Sequence, residues 1–357
     1  MSDVILFDLL AFAAAFLASA VFTPAARDLA LRVRLIDYPG PRKVHVAPMP
    51  LLGGLAVYLA AVFAVAVFVT DEEWSQMFGL FVASTLVLVV GTLDDRGMLH
   101  HQIKLMLVMP FVAIILIGTD MHSEMFHPIT AVPGAGLPGM WIDYALSFVW
   151  FIGIIAAFSI LDHMDGLCAG VAAIAFAFSC SFAAVGGQLL VGTLAAAVLG
   201  ATLGFLRWNF QPARILLGDG GAMLLGLVAA TLGIKLRFPE LSPTVSWMVP
   251  VLVLIVPIFD TTLVTVSRLR RGLVPFASPG KDHTAHRLVA LGMSQGRAVG
   301  VLYGIGVLGG VLAWVVALVG APAGIPVVAS AVVTVGAALV WLERAPYQRQ
   351  RVETGSS

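Results

Sequence analysis

A chain of 357 residues that is 60% hydrophobic and 11% charged has too few polar residues to cover a soluble domain of that size. The mean hydropathy of +0.99 predicts a polytopic membrane protein instead. The 20 basic and 20 acidic residues cancel, so no bulk charge favours binding to nucleic acid. The two cysteines, Cys168 and Cys180, lie in or beside an apolar run, where we expect packing rather than a disulfide or a metal site.

Eleven apolar segments follow one another along the chain, each near the roughly 20 residues that a transmembrane helix needs. They lie near residues 4–22, 51–70, 76–93, 103–119, 141–161, 167–185, 189–206, 221–236, 246–267, 297–319 and 323–342. We therefore predict an all-α polytopic membrane protein with about 11 transmembrane helices. One integral-membrane domain would cover residues 1–345, and a short cytoplasmic tail residues 346–357. No basic residue precedes the first segment, which favours a retained span over a cleaved signal peptide.

The distribution of basic residues predicts the orientation of these helices. With the N-terminus outside, all of the 20 Lys and Arg residues except Lys235 and Arg237 fall in cytoplasmic segments. The opposite orientation would violate the positive-inside rule almost completely. We therefore expect the C-terminus and the polar motifs described below to lie on the cytoplasmic side.

Aspartates mark the predicted cytoplasmic ends of these segments. They are Asp94, Asp95, Asp162, Asp165, Asp219 and Asp260. A carboxylate within a membrane protein is costly and indicates a functional site by default. Acids gathered on one side of the membrane indicate a single site that binds a metal ion and phosphate.

The first two acid pairs each allow two interpretations. Asp94 and Asp95, in GTLDDRGMLHHQIKL (91–105), can hold Mg²⁺, or one can accept a proton while the other orients it. The alternative is a solvated helix end whose charges stop translocation. Asp162 and Asp165, in FSILDHMDGLCAG (158–170), are three residues apart and would share a helix face. The alternative for this pair is a helix-capping turn.

The third motif is GFLRWNFQPARILLGDGGAMLLG (204–226). Asn209 supplies a neutral donor and acceptor, and the glycine-rich run around Asp219 begins a helix. Backbone N–H groups at a helix N-terminus suit phosphate, and Asp219 can hold a metal ion that bridges to it. The run lacks the Lys-Ser/Thr ending of a Walker loop, which excludes an ATPase of that class.

Two further segments carry basic and histidine side chains. His283 and His286 have helical i, i+3 spacing beside Arg287, but two histidines alone do not define a zinc site. Phosphate contacts suit them better among so many basic residues. In DYPGPRKVHVAPMPLLGG (37–54), Lys43 either binds an anionic ligand or anchors the following span to lipid.

In this order the motifs resemble those of the polyprenyl-phosphate N-acetylhexosamine-1-phosphate transferase superfamily (glycosyltransferase family 4). The combination of DD, DxxDGL, NxxPAxxxxGD and HxxHRL carries the resemblance over residues 37–290. It implies Mg²⁺-dependent transfer, with Mn²⁺ as the alternative ion, of an N-acetylhexosamine 1-phosphate from a UDP-sugar to undecaprenyl or another polyprenyl phosphate. UMP would leave, and the product would start a cell-envelope polysaccharide. The resemblance also implies a bacterial inner membrane, with its lipid as surroundings, and allows a homodimer.

The resemblance further implies roles for individual residues. Asp94 would orient the lipid phosphate or act as its base, Lys104 would face the pyrophosphate, and Asp219 with Asp95 would hold the metal ion. The residues implied to be catalytic are Asp94, Asp95, Asp219 and Lys104. The residues implied to bind substrate are Lys43, Asp162, Asp165, Asn209, His283, His286 and Arg287.

The chain departs from the family pattern at five positions. Ala156 and Ser159 replace asparagines, His163 replaces a glycine, Leu216 replaces an aromatic residue, and Ala285 replaces the central histidine. We expect these changes to lie on the nucleotide or sugar side. The metal-side acids are all retained, so the identity of the donor is the property most affected.

Two other hypotheses fit part of the sequence. A transporter or flippase for a phosphorylated lipid or anion would explain Asp260, which lies within a predicted span. Transport sites lie near the bilayer midplane, however, and the other acids lie at helix ends. An inactive relative that serves as a scaffold would explain the departures on the nucleotide side.

Overall fold

Apolar segments of this chain fold as helices because lipid offers no partners for exposed backbone groups. The computed structural model describes residues 2–39, 47–68, 74–99, 104–122, 136–275 and 280–345. Its α-helices are α1 Ser2–Arg32, α2 Gly53–Phe68, α3 Trp74–Asp95, α4 Met109–Gly118, α5 Gly136–Leu161, α6 Leu167–Val185, α7 Leu189–Asn209, α8 Gly218–Lys235, α9 Pro243–Ser246, α10 Met248–Val253, α11 Ile255–Arg270, α12 Thr284–Ala290, α13 Gln295–Val319 and α14 Gly324–Glu343. A π-helical turn, Lys104–Val108, precedes α4, and the short strands β1 Ile36–Asp37 and β2 Met49–Pro50 pair antiparallel.

Within the described residues, seven helices are long and apolar enough to cross a membrane. They lie within Val4–Arg32, Gln76–Asp95, Met140–Leu161, Leu167–Val185, Leu189–Asn209, Gln295–Val319 and Gly324–Glu343. This confirms an all-α multi-pass membrane protein. The remaining four predicted segments are also helical, as α2, α4, α8 and the pair α10–α11, but they are shorter or interrupted. The count of eleven spans and their orientation stay predictions.

The segment predicted as one span near 246–267 is divided into two helices. The break lies at Leu254, between α10 and α11. Pro257 has no N–H to donate to the carbonyl of Val253, and its ring crowds that carbonyl, so the helix cannot continue with regular hydrogen bonds there. The break leaves α11 as a separate helix, and Asp260 lies buried on it.

Helix α8 occupies the centre of the helix bundle. Every residue from Gly218 to Ile234 is buried except Asp219, which is half-buried. The helix packs against α2, α3, α5 and α6. A helix that is apolar on all sides is stable only when other elements surround it. Its N-terminal residues, which include Asp219, are therefore held firmly by the surrounding helices.

Glycines allow α2 and α3 to touch the N-terminal end of α8 backbone to backbone. A Cβ atom added to Gly221 would lie 2.6 Å from the Cα of Gly54 in α2. A Cβ atom added to Gly91 in α3 would overlap the backbone of Gly220. Small residues permit such close approach between helices in membranes. The contact places the C-terminal end of α3, which carries Asp95, beside the first turn of α8.

Backbone hydrogen bonds join the entry to α2 to the loop before α8. The amide of Leu216 donates to the carbonyl of Pro50 at 2.9 Å, and the amide of Gly53 donates to the carbonyl of Leu216 at 3.0 Å. A second, smaller hydrophobic cluster packs the turn between α5 and α6 against α11, α12, α13 and α14. Together with the glycine contacts, these two connections bring four polar segments to one end of the helix bundle. The segments are the end of α3, the α5–α6 turn, the loop before α8 and the start of α12.

Candidate active site

Four carboxylates gather at the first turn of α8, and we call Asp95, Asp162, Asp165 and Asp219 the acidic cluster. The backbone N–H of Asp219 donates to both carboxylate oxygens of Asp95, each at 3.1 Å. Negative charge is favourable at a helix N-terminus because the first N–H groups have no partner within the helix. Asp162 is near enough to Asp219, Asp95 and Asp165 for their charges to affect it. Four of the six acids that the sequence analysis assigned to one site are thus brought together from three segments, whereas Asp260 lies against His283 and Thr284 instead.

Burial and the neighbouring carboxylates both affect the pKa of Asp162. Burial, and then the charges of Asp219, Asp95 and Asp165, raise the pKa of the Asp162 carboxyl well above its usual range. A hydrogen bond with the backbone of Gly218 acts in the opposite direction. Crowded carboxylate oxygens are the ligands that hard divalent cations such as Mg²⁺ prefer. The residues present therefore fit a divalent cation.

Asn209 and Asp165 hold the two loops that carry the acids. Asn209, which is 3% exposed, accepts a hydrogen bond from the amide of Gly166 at 3.1 Å and donates to the carbonyl of Ile215 at 3.0 Å. The Asp165 carboxylate accepts from the amide of Ala213 at 3.0 Å. These bonds tie the α5–α6 turn to the loop between α7 and α8. Both residues position the site in this structure, and their predicted contact with substrate stays a prediction.

Ser159 contributes a contact that the sequence analysis did not identify. Its hydroxyl donates to Oδ1 of Asp219 at 3.4 Å. The side chain lies in the last turns of α5, so it faces the acidic cluster from within the otherwise apolar run 148–161. A lone polar residue at such a position is the one sequence signal that points to this contact. The serine that replaces a family asparagine thus still offers a hydrogen-bond donor to Asp219.

Beside the acidic cluster lies a second polar group, formed by His163, His283, His286 and Asp260, which we call the histidine cluster. The ring centroid of His163 lies 4.4 Å from that of His283 and 4.7 Å from that of His286. Nδ1 of His283 lies 2.8 Å from Oδ2 of Asp260, and the other Asp260 oxygen accepts from the amide of Thr284 at 2.7 Å. The structure thus places His163 directly against the two histidines predicted to bind substrate.

Two rings of the histidine cluster, those of His163 and His286, favour the neutral form. Burial, followed by the nearby His283 and His286, lowers the pKa of His163 well below its usual range. Burial, followed by His283 and Lys281, lowers the pKa of His286 to about 4. Both rings are therefore neutral near pH 7 and carry an unprotonated nitrogen that can accept a hydrogen bond or bind a metal ion.

Asp282 anchors the loop before α12 through two arginines. Arg268 donates to both of its oxygens, from Nε at 3.0 Å and from a terminal nitrogen at 2.8 Å, and Arg271 adds an ion pair at 2.6 Å. Burial alone would raise the pKa of Asp282, but the hydrogen bonds and charge of Arg268, with Arg271, lower it to about 2. The carboxylate is therefore charged, and it fixes the start of the segment that carries His283 and His286.

Arg287 is enclosed by the protein rather than turned towards a substrate. Its side chain is 0% exposed. It donates to the carbonyls of Asp282 and Leu342 and to the hydroxyl of Ser267, each at 2.8 Å. In this structure Arg287 joins α12 to α11 and α14. Its predicted role in substrate binding stays a prediction, and the geometry favours a positioning role.

Three other predicted site residues are Lys43, Lys104 and Asp94, and the structure shows only part of their surroundings. Lys43 lies outside the described residues, as does the tail predicted over 346–357. Lys104 begins the π-helical turn, and its side chain is likewise outside the description. Asp94 is half-buried in the last turn of α3, next to Asp95. Their predicted catalytic and binding roles stay predictions.

An apolar cavity of about 510 Å³ lies among α2, α3, α7 and α8. Aliphatic and aromatic side chains from all four helices line it, among them Val57, Phe81, Val198 and Leu224. The same helix, α8, lines this cavity and carries Asp219 at its N-terminus. A lining of this kind suits a hydrocarbon chain.

Comparison with known proteins supports the reading of these motifs. The sequence model of the family described as "Glycosyl transferase family 4" matches residues 77–237. The chain is 33% identical over 298 residues to a "Probable undecaprenyl-phosphate N-acetylglucosaminyl 1-phosphate transferase" of Bacillus subtilis (strain 168), covering 84% of this chain and 82% of the relative. It is 32% identical over 305 residues to a "Decaprenyl-phosphate N-acetylglucosaminephosphotransferase" of Mycolicibacterium smegmatis, covering 78% and 74%. An "Undecaprenyl-phosphate alpha-N-acetylglucosaminyl 1-phosphate transferase" of Yersinia pestis is 27% identical over 297 residues, covering 79% and 77%.

Proposed function

The chain belongs to glycosyl transferase family 4, the polyprenyl-phosphate hexosamine-1-phosphate transferases, and from that membership we propose its specific reaction. An N-acetylhexosamine 1-phosphate passes from a UDP-sugar to undecaprenyl or another polyprenyl phosphate, and UMP is released. The names of the Bacillus subtilis and Mycolicibacterium smegmatis relatives, which specify a polyprenyl phosphate and N-acetylglucosamine, support this proposal. The observation that carries it is the acidic cluster at the N-terminus of α8.

The acidic cluster supports binding of a divalent cation. Asp219 and Asp95 are the residues proposed to hold Mg²⁺, or Mn²⁺ in its place, and the bound ion neutralises negative charge on the donor pyrophosphate. The placement of Asp162 beside Asp219, Asp95 and Asp165 supports this assignment, because a bound cation would offset the repulsion among these carboxylates. The hydrogen bonds from the Asp219 amide fix Asp95 in position for this role.

We assign the transfer step to a direct displacement. An oxygen of the lipid phosphate forms a bond to the β-phosphorus of the UDP-sugar, and the bond between that phosphorus and the bridging oxygen of UMP breaks. Asp94 orients the acceptor phosphate or accepts its last proton. The lipid phosphate needs little further activation near pH 7. Lys104 adds positive charge near the pyrophosphate, where it stabilises charge in the transition state.

The remaining residues bind and position the substrates. Asp162, Asp165, His283 and His286 face the nucleotide-sugar, and Lys43 the anionic part of a substrate, while Asn209 and Arg287 hold the loops that present them. The apolar cavity beside α8 has a lining that suits part of an isoprenoid chain. The distribution of basic residues supports an orientation in which the acidic cluster faces the cytoplasm, and the bacterial relatives support a bacterial inner membrane as the location. The reaction would then be the first membrane step of a cell-envelope polysaccharide.

The test is a UMP-release assay on the detergent-purified chain with undecaprenyl phosphate, Mg²⁺ and a panel of UDP-sugars. We expect UMP release that requires the lipid, the metal ion and Asp219, with Asp219→Ala inactive. Asp28→Ala, at an exposed aspartate at the end of α1, serves as the matched control and should keep full activity. The sugar that supports turnover identifies the donor.

Other outcomes point to the other hypotheses. Movement of labelled lipid phosphate across proteoliposomes, without UMP release, would indicate a transporter. Folded protein that turns over no UDP-sugar would indicate an inactive relative. UMP release that persists in Asp219→Ala would contradict the proposed role of the acidic cluster.

A further inference from the structure

His163 has two buried nitrogens with no hydrogen-bond partner among the residues that the structure describes. Buried polar atoms are nearly always paired, because an unpaired one loses its bonds to water without replacement. Other polar side chains surround this ring, so its surroundings are not simply apolar. We therefore expect a ligand to bind the unpaired nitrogens of this imidazole.

The atoms around His163 have the chemistry and spacing of a metal site. One ligand atom from each of His163, Asp260 and His283 lies within 4.8 Å of the other two. A tetrahedral ion with bonds of about 2.0–2.2 Å holds its ligand atoms roughly 3.5 Å apart, so small side-chain rotations would close the set. Imidazole nitrogen with one carboxylate oxygen is a common donor set for zinc.

Part of this ligand set is already oriented by the protein. Asp260 is 1% exposed, and its second oxygen is held by the amide of Thr284 at 2.7 Å. Nδ1 of His283 and Oδ2 of Asp260 lie 2.8 Å apart, and a bound ion would replace the proton that they share. A hydrogen bond such as the one from the Thr284 amide fixes the orientation of a metal ligand.

We propose that His163, Asp260 and His283 form a site for a transition-metal ion such as zinc, separate from the acidic cluster. The two sites differ in donor chemistry, since four carboxylates suit Mg²⁺ and two imidazoles with one carboxylate suit Zn²⁺. Three protein ligands leave a fourth position for water. The ring of His286 lies beside that of His163 but is not required as a ligand.

The zinc site would join three segments that are far apart in the sequence. His163 lies in the α5–α6 turn, Asp260 on α11, and His283 directly before α12. A bound ion would therefore cross-link the turn to both helices and stabilise the folded chain. Asp162 and His163 are consecutive, so the same turn would contribute to the acidic cluster and to the zinc site. This site includes His283, which the proposed function places facing the nucleotide-sugar, but the test of metal binding does not depend on catalysis.

The experiment measures metal binding directly on the full-length chain in detergent. Protein treated with a chelator is titrated with Zn²⁺, and bound zinc is quantified by elemental analysis after gel filtration. Co²⁺ is used in parallel, because tetrahedral nitrogen ligation gives it a strong visible absorption. We expect one equivalent of zinc, retained in excess Mg²⁺, and a zinc-dependent rise in the unfolding temperature.

Variants assign the site to its residues. His163→Gln and His283→Gln keep side-chain polarity and should each weaken zinc binding at least about 10-fold. His122→Gln, at a histidine outside the cluster, and Asp219→Ala, in the acidic cluster, should leave zinc binding unchanged. Wild-type zinc affinity in His163→Gln would overturn the proposal. If that variant does not fold, the cobalt spectrum of the wild type decides: tetrahedral absorption supports the site, and an octahedral spectrum overturns it.

Discussion

Asp95 accepts two hydrogen bonds from the backbone amide of Asp219, a residue 124 positions further along the chain. One carboxylate thus caps the N-terminus of α8 and also contributes charge to the acidic cluster. Capping needs an oxygen acceptor, whereas holding a cation needs negative charge. The two roles can be separated by substitution.

Asp95→Asn should fold as well as the wild type and lose activity. Asparagine caps helices about as well as aspartate, so the free energy of unfolding should change little, but the charge is removed. We expect UMP release to fall by roughly 100-fold or more. Asp95→Ala, which removes the cap too, should also be less stable by about 1 kcal/mol. Full activity in Asp95→Asn would show that Asp95 acts only as a cap.

Gly220→Ala should destabilise the helix bundle at the acidic cluster. Its Cβ atom would lie 2.7 Å from the carbonyl oxygen of Leu88, so α3 and α8 would have to separate. Overpacking of this kind lowers the free energy of unfolding by about 1–3 kcal/mol. Unfolding in mixed micelles measures the change. Gly118→Ala, where a Cβ atom would meet nothing within 4 Å, is the control and should unfold like the wild type.

Asn209→Ala should weaken the connection between the two loops of the site. The substitution leaves the amide of Gly166 and the carbonyl of Ile215 without their present partner. Buried unpaired groups lower stability by about 1–3 kcal/mol. We expect a lower unfolding temperature together with a lower kcat in the UMP assay. Gln295→Ala is the control, because it removes only an exposed side-chain hydrogen bond. Equal changes in unfolding temperature and kcat in the two variants would contradict the proposed role of Asn209.

Asp282→Asn should strongly destabilise the folded chain, because it removes the charge of a buried carboxylate that pairs with two arginines. Arg268, only 6% exposed in its side chain, would keep its charge but lose its ionic partner. Breaking a buried pair in this way lowers stability by about 3–5 kcal/mol. The exposed pair of Arg27 and Asp28 offers a comparison, since Asp28→Asn should change stability by about 0–1 kcal/mol. Chemical unfolding curves of the two variants, recorded side by side, measure the difference.

Arg287→Lys distinguishes positioning from substrate binding. Lysine keeps the charge but cannot reproduce the set of bonds to Asp282, Leu342 and Ser267. A positioning role predicts a lower unfolding temperature and a reduced kcat with little change in KM. A raised KM for the UDP-sugar at unchanged stability would instead assign Arg287 to the substrate.

Much of this architecture could be predicted from hydrophobic segments and motif positions. The helices follow from apolar runs, and the acidic cluster follows from acids placed at the ends of those runs. The division between α10 and α11 was missed because a mean hydropathy does not register the missing N–H of Pro257. The glycine contacts were missed because a glycine has no side-chain signal, and only the assembled helices show that Gly91 faces Gly220.

The contacts within the histidine cluster could not be predicted from the sequence either. His163 stood out in the sequence only as a departure from a family glycine, with no sign of what it touches. Its proximity to Asp260 depends on how α11 packs against the α5–α6 turn, a contact between positions 97 residues apart. Ser159 was likewise taken as a lost asparagine, although its hydroxyl reaches Asp219. Contacts of this kind depend on tertiary packing and leave no local pattern.

The backbone contact between Gly91 and Gly220 also bears on how such an enzyme can evolve. The spacing of Asp95 and Asp219 is set by two helices whose main chains touch, so it does not depend on the identity of residues in the α5–α6 turn. The departures at Ser159 and His163 fall in that turn or at its edge. Substitutions in that turn can therefore change the surroundings of the acidic cluster, while the helix contact keeps Asp95 beside Asp219.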